Sequence, residues 1–275
     1  MASQLCLYEL GTGHISEILS SDRHIEAPNW SPCGDFLVVN GEGRLFRVDL
    51  AAPALAPIDT GFARACNNDH GLSPDGRALV ISDSSATKDS CIYRLPAGGG
   101  APVRVTGSTP SWWHGWSPDG LTLAYAARRD GVFWIATIAA AGGRETLLIG
   151  GDGAHYDGPD YTPDGQWIWF NATRDGSMQL WRMRPDGANA EKMTDDERVN
   201  WFPHPAPAGG PVLYLSFEPG TEGHPPGRDV ELRLLDPATG ASRTAVRLFG
   251  GQGSINVPCW SPDGRQFAFM RYTRH

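Results

Sequence analysis

Short apolar runs alternate with turn-forming clusters along the whole chain. Phe36-Leu37-Val38-Val39, Leu79-Val80-Ile81, Leu123-Ala124-Tyr125, Trp167-Ile168-Trp169-Phe170, Val212-Leu213-Tyr214-Leu215 and Phe267-Ala268-Phe269 are brief, β-branched or aromatic, and bounded by turn residues. Such runs predict strands. A second set alternates apolar with polar residues: Leu45-Phe46-Arg47-Val48, Cys91-Ile92-Tyr93-Arg94-Leu95, Phe133-Trp134-Ile135, Leu180-Trp181-Arg182-Met183 and Leu232-Arg233-Leu234. Between the sets lie hairpin signals such as Arg129-Asp130-Gly131 and Arg174-Asp175-Gly176, since Asp-Gly suits a tight β-turn. A short fourth run, Val103-Arg104-Val105-Thr106 or Lys192-Met193-Thr194, ends a unit. Each unit thus supplies four strands and no helix.

The units repeat. Ser-Pro-Asp-Gly begins at Ser73, Ser117 and Ser261, with variants at Ser31 (Ser-Pro-Cys-Gly), Thr162 (Thr-Pro-Asp-Gly) and Ala206 (Ala-Pro-Ala-Gly). Successive anchors are 42, 44, 45, 44 and 55 residues apart, close to the roughly 40–50 residues of a propeller blade. Serine first, proline second and glycine fourth are the preferences of a type I β-turn. The two ends complete each other. Leu5-Cys6-Leu7-Tyr8-Glu9-Leu10 resembles a third strand and Ile15 to Leu19 a fourth, while only one strand fits between the last anchor and His275. The expected fold is all-β: one domain over residues 1–275, a six-bladed β-propeller of four-stranded blades. Its ring closes by pairing N- and C-terminal strands in one blade, which removes free edges.

Composition narrows the class. Lys+Arg number 23 against Asp+Glu 31, a formal net charge of −8, which argues against a nucleic-acid or anionic-membrane binder. No apolar run approaches the roughly 20 residues that span a bilayer. The N-terminal segment lacks the basic and apolar regions of a secretory signal. Five cysteines, odd in number and never spaced Cys-x-x-Cys, fit reduced thiols. The expectation is an acidic, monomeric, cytoplasmic protein.

Repeated Trp/Tyr-Ser-Pro-Asp-Gly units at this period resemble the TolB-type six-bladed propeller and its shorter, cytoplasmic-looking relatives. Asn67-Asn68-Asp69-His70-Gly71, Trp112-Trp113-His114-Gly115-Trp116, Trp181 to Gly187 and Phe249 to Pro258 also look like that shorter group. TolB itself carries a secretion signal and an α/β domain ahead of the propeller, and no counterpart is seen here. The resemblance therefore implies the fold without TolB's envelope partners.

Candidate chemistry sits where each innermost strand approaches its anchor, lining the expected channel. Three positions before the anchor, four blades carry proline, and two carry His70 and His114. Five positions before come Glu26, Asn68, Trp112, Asp157, Trp201 and Asn256. Strict alternation would put both positions on one side. Asp69, Trp113, His155, His204 and Gln252 lie beside them in sequence. Two function classes follow. One is a binding module for a small polar ligand, carbohydrate among them, or for a protein. The other is a sugar or sugar-acid lyase or hydrolase, with His70, His114, His204 and Asp157 as catalytic groups. In its metal-assisted version His70, His114 and His204 hold a divalent ion. The long interval places its extra residues around 218–229, where His224 and Arg228 are further candidates on an inserted loop. No His-Glu-x-x-His, Gly-x-Ser-x-Gly or phosphate-loop pattern occurs in the sequence.

Overall fold

The Ser-Pro-Asp-Gly turns are built by their own side chains. The Ser73 hydroxyl donates to Asp75 Oδ1 at 2.6 Å and accepts the Ala78 N–H at 2.9 Å, while Asp75 accepts the Arg77 N–H at 3.0 Å. The same hydroxyl–carboxylate bond recurs at Ser117–Asp119, Thr162–Asp164 and Ser261–Asp263. Glycine is required last, because φ at Gly34, Gly76, Gly120, Gly165 and Gly264 lies between +67° and +86°. A Cβ on Gly34, Gly76, Gly120 or Gly165 would lie 3.7–3.9 Å from Pro262, Pro32, Pro74 or Pro118 of the neighbouring turn. The turns therefore stack around one end of a ring.

A computed structural model describes residues 2–207 and 209–274 of the chain; Ala208, the third residue of the fifth anchor, lies outside them. Blades 1 to 5 each have four antiparallel strands, ordered from inside outward. Blade 1 comprises Glu26–Trp30, Phe36–Gly41, Arg44–Asp49 and Ala56–Ile58. Blade 2 comprises Cys66–Leu72, Ala78–Asp83, Cys91–Pro96 and Val103–Arg104. Blade 3 comprises Ser111–Trp116, Thr122–Arg129, Val132–Ala139 and Thr146–Gly150. Blade 4 comprises Tyr156–Tyr161, Ile168–Asp175, Ser177–Met183 and Glu191–Lys192. Blade 5 comprises Val199–Pro205, Val212–Phe217, Pro226–Leu235 and Ser242–Gly251. Blade 6 closes the ring: Gln266–Tyr272 pairs with Ser3–Glu9, which pairs with Ile15–Ser21. Leu5 faces Met270 across the closing pair.

Two details depart from expectation. The fourth strands of blades 2 and 4 are two residues long, because the Thr106 and Thr194 hydroxyls accept the Ile92 and Leu180 N–H groups at 3.0 and 2.9 Å. The innermost position of blade 6 holds no regular strand, only the Trp260–Phe267 bridge. There Asn256 Oδ1 accepts the Gly253 N–H at 2.6 Å, and Pro258 has no N–H to give a ladder. This irregular segment helps form the site described below.

The core lies between blades. Val38 and Leu45 of blade 1 pack with Leu79 and Ile81 of blade 2, and Ala124 and Ile135 of blade 3 with Ile168 and Phe170 of blade 4. Trp116 and Trp260 donate their indole N–H groups to Gly71 and His204 carbonyls of the preceding blades, at 3.4 and 2.9 Å. Among the described residues no helix is long and apolar enough to cross a membrane.

Candidate functional site

The innermost strands do not alternate simply, because each of those in blades 1 to 5 carries a bulge. In blades 1, 4 and 5 four residues on the inner strand oppose three on its partner: Glu26 to Asn29, Asp157 to Asp160 and Trp201 to His204. Within those bulges Ala27, Gly158 and Phe202 take φ of +53°, +60° and +53°. In blade 3 the extra residue is His114 itself, between paired Trp113 and Gly115. In blade 2 the ladder steps from Cys66 to His70 against only Asp83 to Ile81, leaving Asn67, Asn68 and Asp69 out of register. An extra residue reverses the facing of everything beyond it. The third and fifth positions before the anchor therefore share a side in blade 3, where Trp112 and His114 both line the cavity described below, but not in blade 2, where Asn68 lines it and His70 does not.

His70 and His114 show the consequence. They stand at the same offset from their turns, yet His70 is a ladder residue, fully buried, with Nε2 at 3.2 Å from the Val38 carbonyl. Burial pushes its pKa down to about 4 despite that hydrogen bond, so its imidazole is neutral. His114 is displaced by its bulge and reaches Asp157, with Nε2 at 2.9 Å from Oδ1. Burial opposes charge on His114, but the Asp157 and Asp69 carboxylates outweigh it and raise the pKa to about 9. Burial likewise opposes charge on Asp157, and the His114 imidazolium nevertheless holds its carboxyl below the usual range. The two form a buried ion pair.

Around this pair lies a cavity of about 270 Å³. His155 Nε2 and His224 Nε2 each lie 3.9 Å from Asp157 Oδ2, so three imidazoles surround one carboxylate. Asp69 is buried nearby; desolvation, reinforced by Asp157 and opposed by His114, raises its pKa to about 7. Asn67 Nδ2 donates to Asp69 at 2.6 Å. Carboxamides of Asn67, Asn68, Gln252 and Asn256 complete the polar lining, and Trp112, Phe133 and Phe202 form the aromatic part. The Phe133 and His155 rings stack at 4.1 Å.

Asn68, Asp69, Trp112, His114, His155, Asp157, Gln252 and Asn256 are therefore brought together, and the other expected site residues are not. Trp113 is fully buried against Gly71. Trp201 is buried, its ring steeply inclined to those of His155 and His224, at centroid distances of 5.4 and 4.4 Å. Glu26 bonds His24 at 3.1 Å and Asn40 at 3.4 Å, outside the cavity lining. His204 is buried, with Nδ1 3.1 Å from Asp160 and Nε2 2.6 Å from the Ile255 carbonyl, linking blades 4, 5 and 6. The expected metal set of His70, His114 and His204 is not assembled: two of its imidazoles are engaged with backbone carbonyls. Among the described residues no group of three or more His, Cys, Asp or Glu is placed to hold a metal ion.

Asn67, Phe133 and Phe202 line the cavity without having been singled out as site residues. Phe133 follows the Arg-Asp-Gly turn, and only the fold brings that hairpin end to the inner strands. His224 enters from the insertion, whose Pro225 carbonyl accepts the Gln252 N–H at 3.4 Å. The inserted loop therefore reaches the inner-strand entry, while Arg228 lines a separate surface cavity with Glu218, Asp229 and Arg274.

The comparisons agree with this architecture. The sequence profile described as the TolB beta propeller domain matches residues 109–224. An uncharacterized protein of Agrobacterium fabrum is 46% identical over 273 residues, covering 99% of this chain and 93% of that protein. A solved structure from Agrobacterium tumefaciens, provisionally named TolB, is 46% identical with a TM-score of 0.98, covering 100% of this chain and 99% of the other. TolB from Acinetobacter baumannii is 16% identical with a TM-score of 0.71, over 91% of this chain and 64% of that one, a likeness of fold alone. With its closed six-bladed ring and a full-length relative at this identity, the chain belongs to the TolB-type β-propeller family.

Proposed function

We propose that the inner-strand cavity binds a small polyhydroxylated molecule, with carbohydrate the class its chemistry suits. One observation carries the reading: four carboxamides, two carboxylates and an aromatic surface converge on one cavity of about 270 Å³. Carboxamides and carboxylates satisfy vicinal hydroxyls as donors and acceptors, and a sugar's C–H face packs against indole or phenyl rings. The volume is near the lower bound of small-ligand sites, roughly 300 Å³, which favours a single ring. The test is calorimetric titration of a monosaccharide panel against the wild type and Trp112→Ala. Saturable binding that weakens in the variant supports the reading, and a flat response to every sugar opposes it.

A second reading, acid–base catalysis on such a ligand, is favoured by the Asp69 carboxyl. A buried carboxyl with a pKa of about 7 can donate or accept a proton near neutrality, beside the His155 and His224 imidazoles. Asp69→Asn separates the two readings: a catalyst loses turnover while keeping ligand affinity. The metal-assisted version of this reading requires the imidazoles to regroup, since none of the described clusters has ligand geometry.

A further inference from the structure

A second cavity of about 340 Å³ adjoins the first. It lies beside the blade 4 hairpin residues Thr173 and Ser177, with Gly220 to Gly223 of the insertion on its other side. His155 lines both cavities. The insertion also serves both, because Gly223 lines the outer cavity and the next residue, His224, lines the inner one. Their common wall is thus a half-buried imidazole stacked on Phe133 and flanked by Trp201, a flat surface over which a chain of rings can pass.

The geometry points to an extended ligand: a linear chain of two or three sugar units, neutral or amine-bearing. Its terminal ring occupies the inner cavity and its next unit crosses His155 beneath the insertion. This inference rests on the carbohydrate reading above and adds length and charge to it. The inner cavity anchors one end through its carboxamides, since Asn67, Asn68, Gln252 and Asn256 line it and can meet a ring's hydroxyls as donors and acceptors. The outer cavity offers the Thr221 hydroxyl and the Glu197 and Glu222 carboxylates. Neither glutamate is in an ion pair among the described residues. A uronate chain would bring its own carboxylate against them, whereas an amine would be attracted.

The experiment is titration calorimetry on the full chain with glucosamine, its β-1,4-linked dimer and trimer, and the matching galacturonate series. The expected result is a dimer or trimer at least roughly tenfold tighter than the monomer, and no such gain for galacturonate. Ser177→Trp, at an exposed position, fills the outer cavity and should abolish the length gain while leaving monomer affinity within about twofold. The double variant Glu197→Gln/Glu222→Gln should weaken the glucosamine oligomers several-fold. Equal affinity for monomer and trimer, or a gain that survives Ser177→Trp, overturns the extended-ligand inference and leaves the single-ring site standing. Tighter binding of galacturonate oligomers overturns the charge assignment. Silence from all sugars at every length overturns the carbohydrate reading itself.

Discussion

Asp157, His114 and Asp69 share one poorly solvated space, and their charges are settled by competition between burial and pairing. Burial alone would neutralise all three. Pairing keeps Asp157 and His114 charged, and Asp69, without a cation of its own, holds its proton to about pH 7. The stability consequence follows by linkage. The unfolded Asp69 releases its proton near the ordinary value of 3.8, the folded one near 7, so this group favours the native state below about pH 4. That advantage is lost as pH rises through 7. Asp69→Asn should therefore raise stability by roughly 2 kcal/mol at pH 8 and change it little at pH 4, read from urea unfolding at both values. His114 has the same sign in a higher window: full stabilisation below the ordinary value of 6.5, lost as pH rises through about 9. His114→Asn should flatten the decline of melting temperature across that window. The residue types of this cluster were legible in the sequence because they recur beside each anchor. The difference between His70 and His114 was not, since it depends on which residue a bulge displaces.

At the scale of the element, the bulge is what turns a repeated strand into a site. A regular inner strand would offer every blade's side chains alike. One extra residue at His114 in blade 3 and two within the Asn67–Asp69 stretch in blade 2 make the two blades present different groups. Bulges leave a weak trace in sequence: a glycine marks the one at Gly158, whereas Phe202 takes a positive φ that its residue type does not announce, so the strands were predictable and their registers were not. Two expectations belong here. A Cβ at Gly71 would run into the buried Trp113 indole, so Gly71→Ala should destabilise by roughly 2–3 kcal/mol in chemical denaturation. Trp112, by contrast, is half-buried on the cavity wall. Its replacement by alanine should lower ligand affinity roughly tenfold while shifting the melting temperature by only a few degrees.

For the whole molecule, closure of the ring converts six weak units into one cooperative body. Each blade buries its faces against its neighbours, and the sixth exists only because Ser3–Glu9 pairs with Gln266–Tyr272. Leu5→Asp, at a fully buried position on the closing strand, should cost more than about 3 kcal/mol. A single transition in calorimetry, displaced as a whole, would show that closure stabilises every blade. Blade number, strand count and closure were legible from the anchor period and the strand-like ends, because turn chemistry is local. The reach of the insertion was not, since nothing in Glu218 to Asp229 states which end of the ring it covers. The central claim is that this ring gathers His114, His155 and His224 around Asp157 as a ligand site, while His70 and His204 serve the scaffold. Imidazole nitrogen NMR on uniformly ¹⁵N-labelled protein, titrated with a binding sugar, tests it most directly. The account predicts shifts at the three cavity histidines and none at His70 or His204; movement confined to His70 and His204, or none at the cavity three, would contradict it.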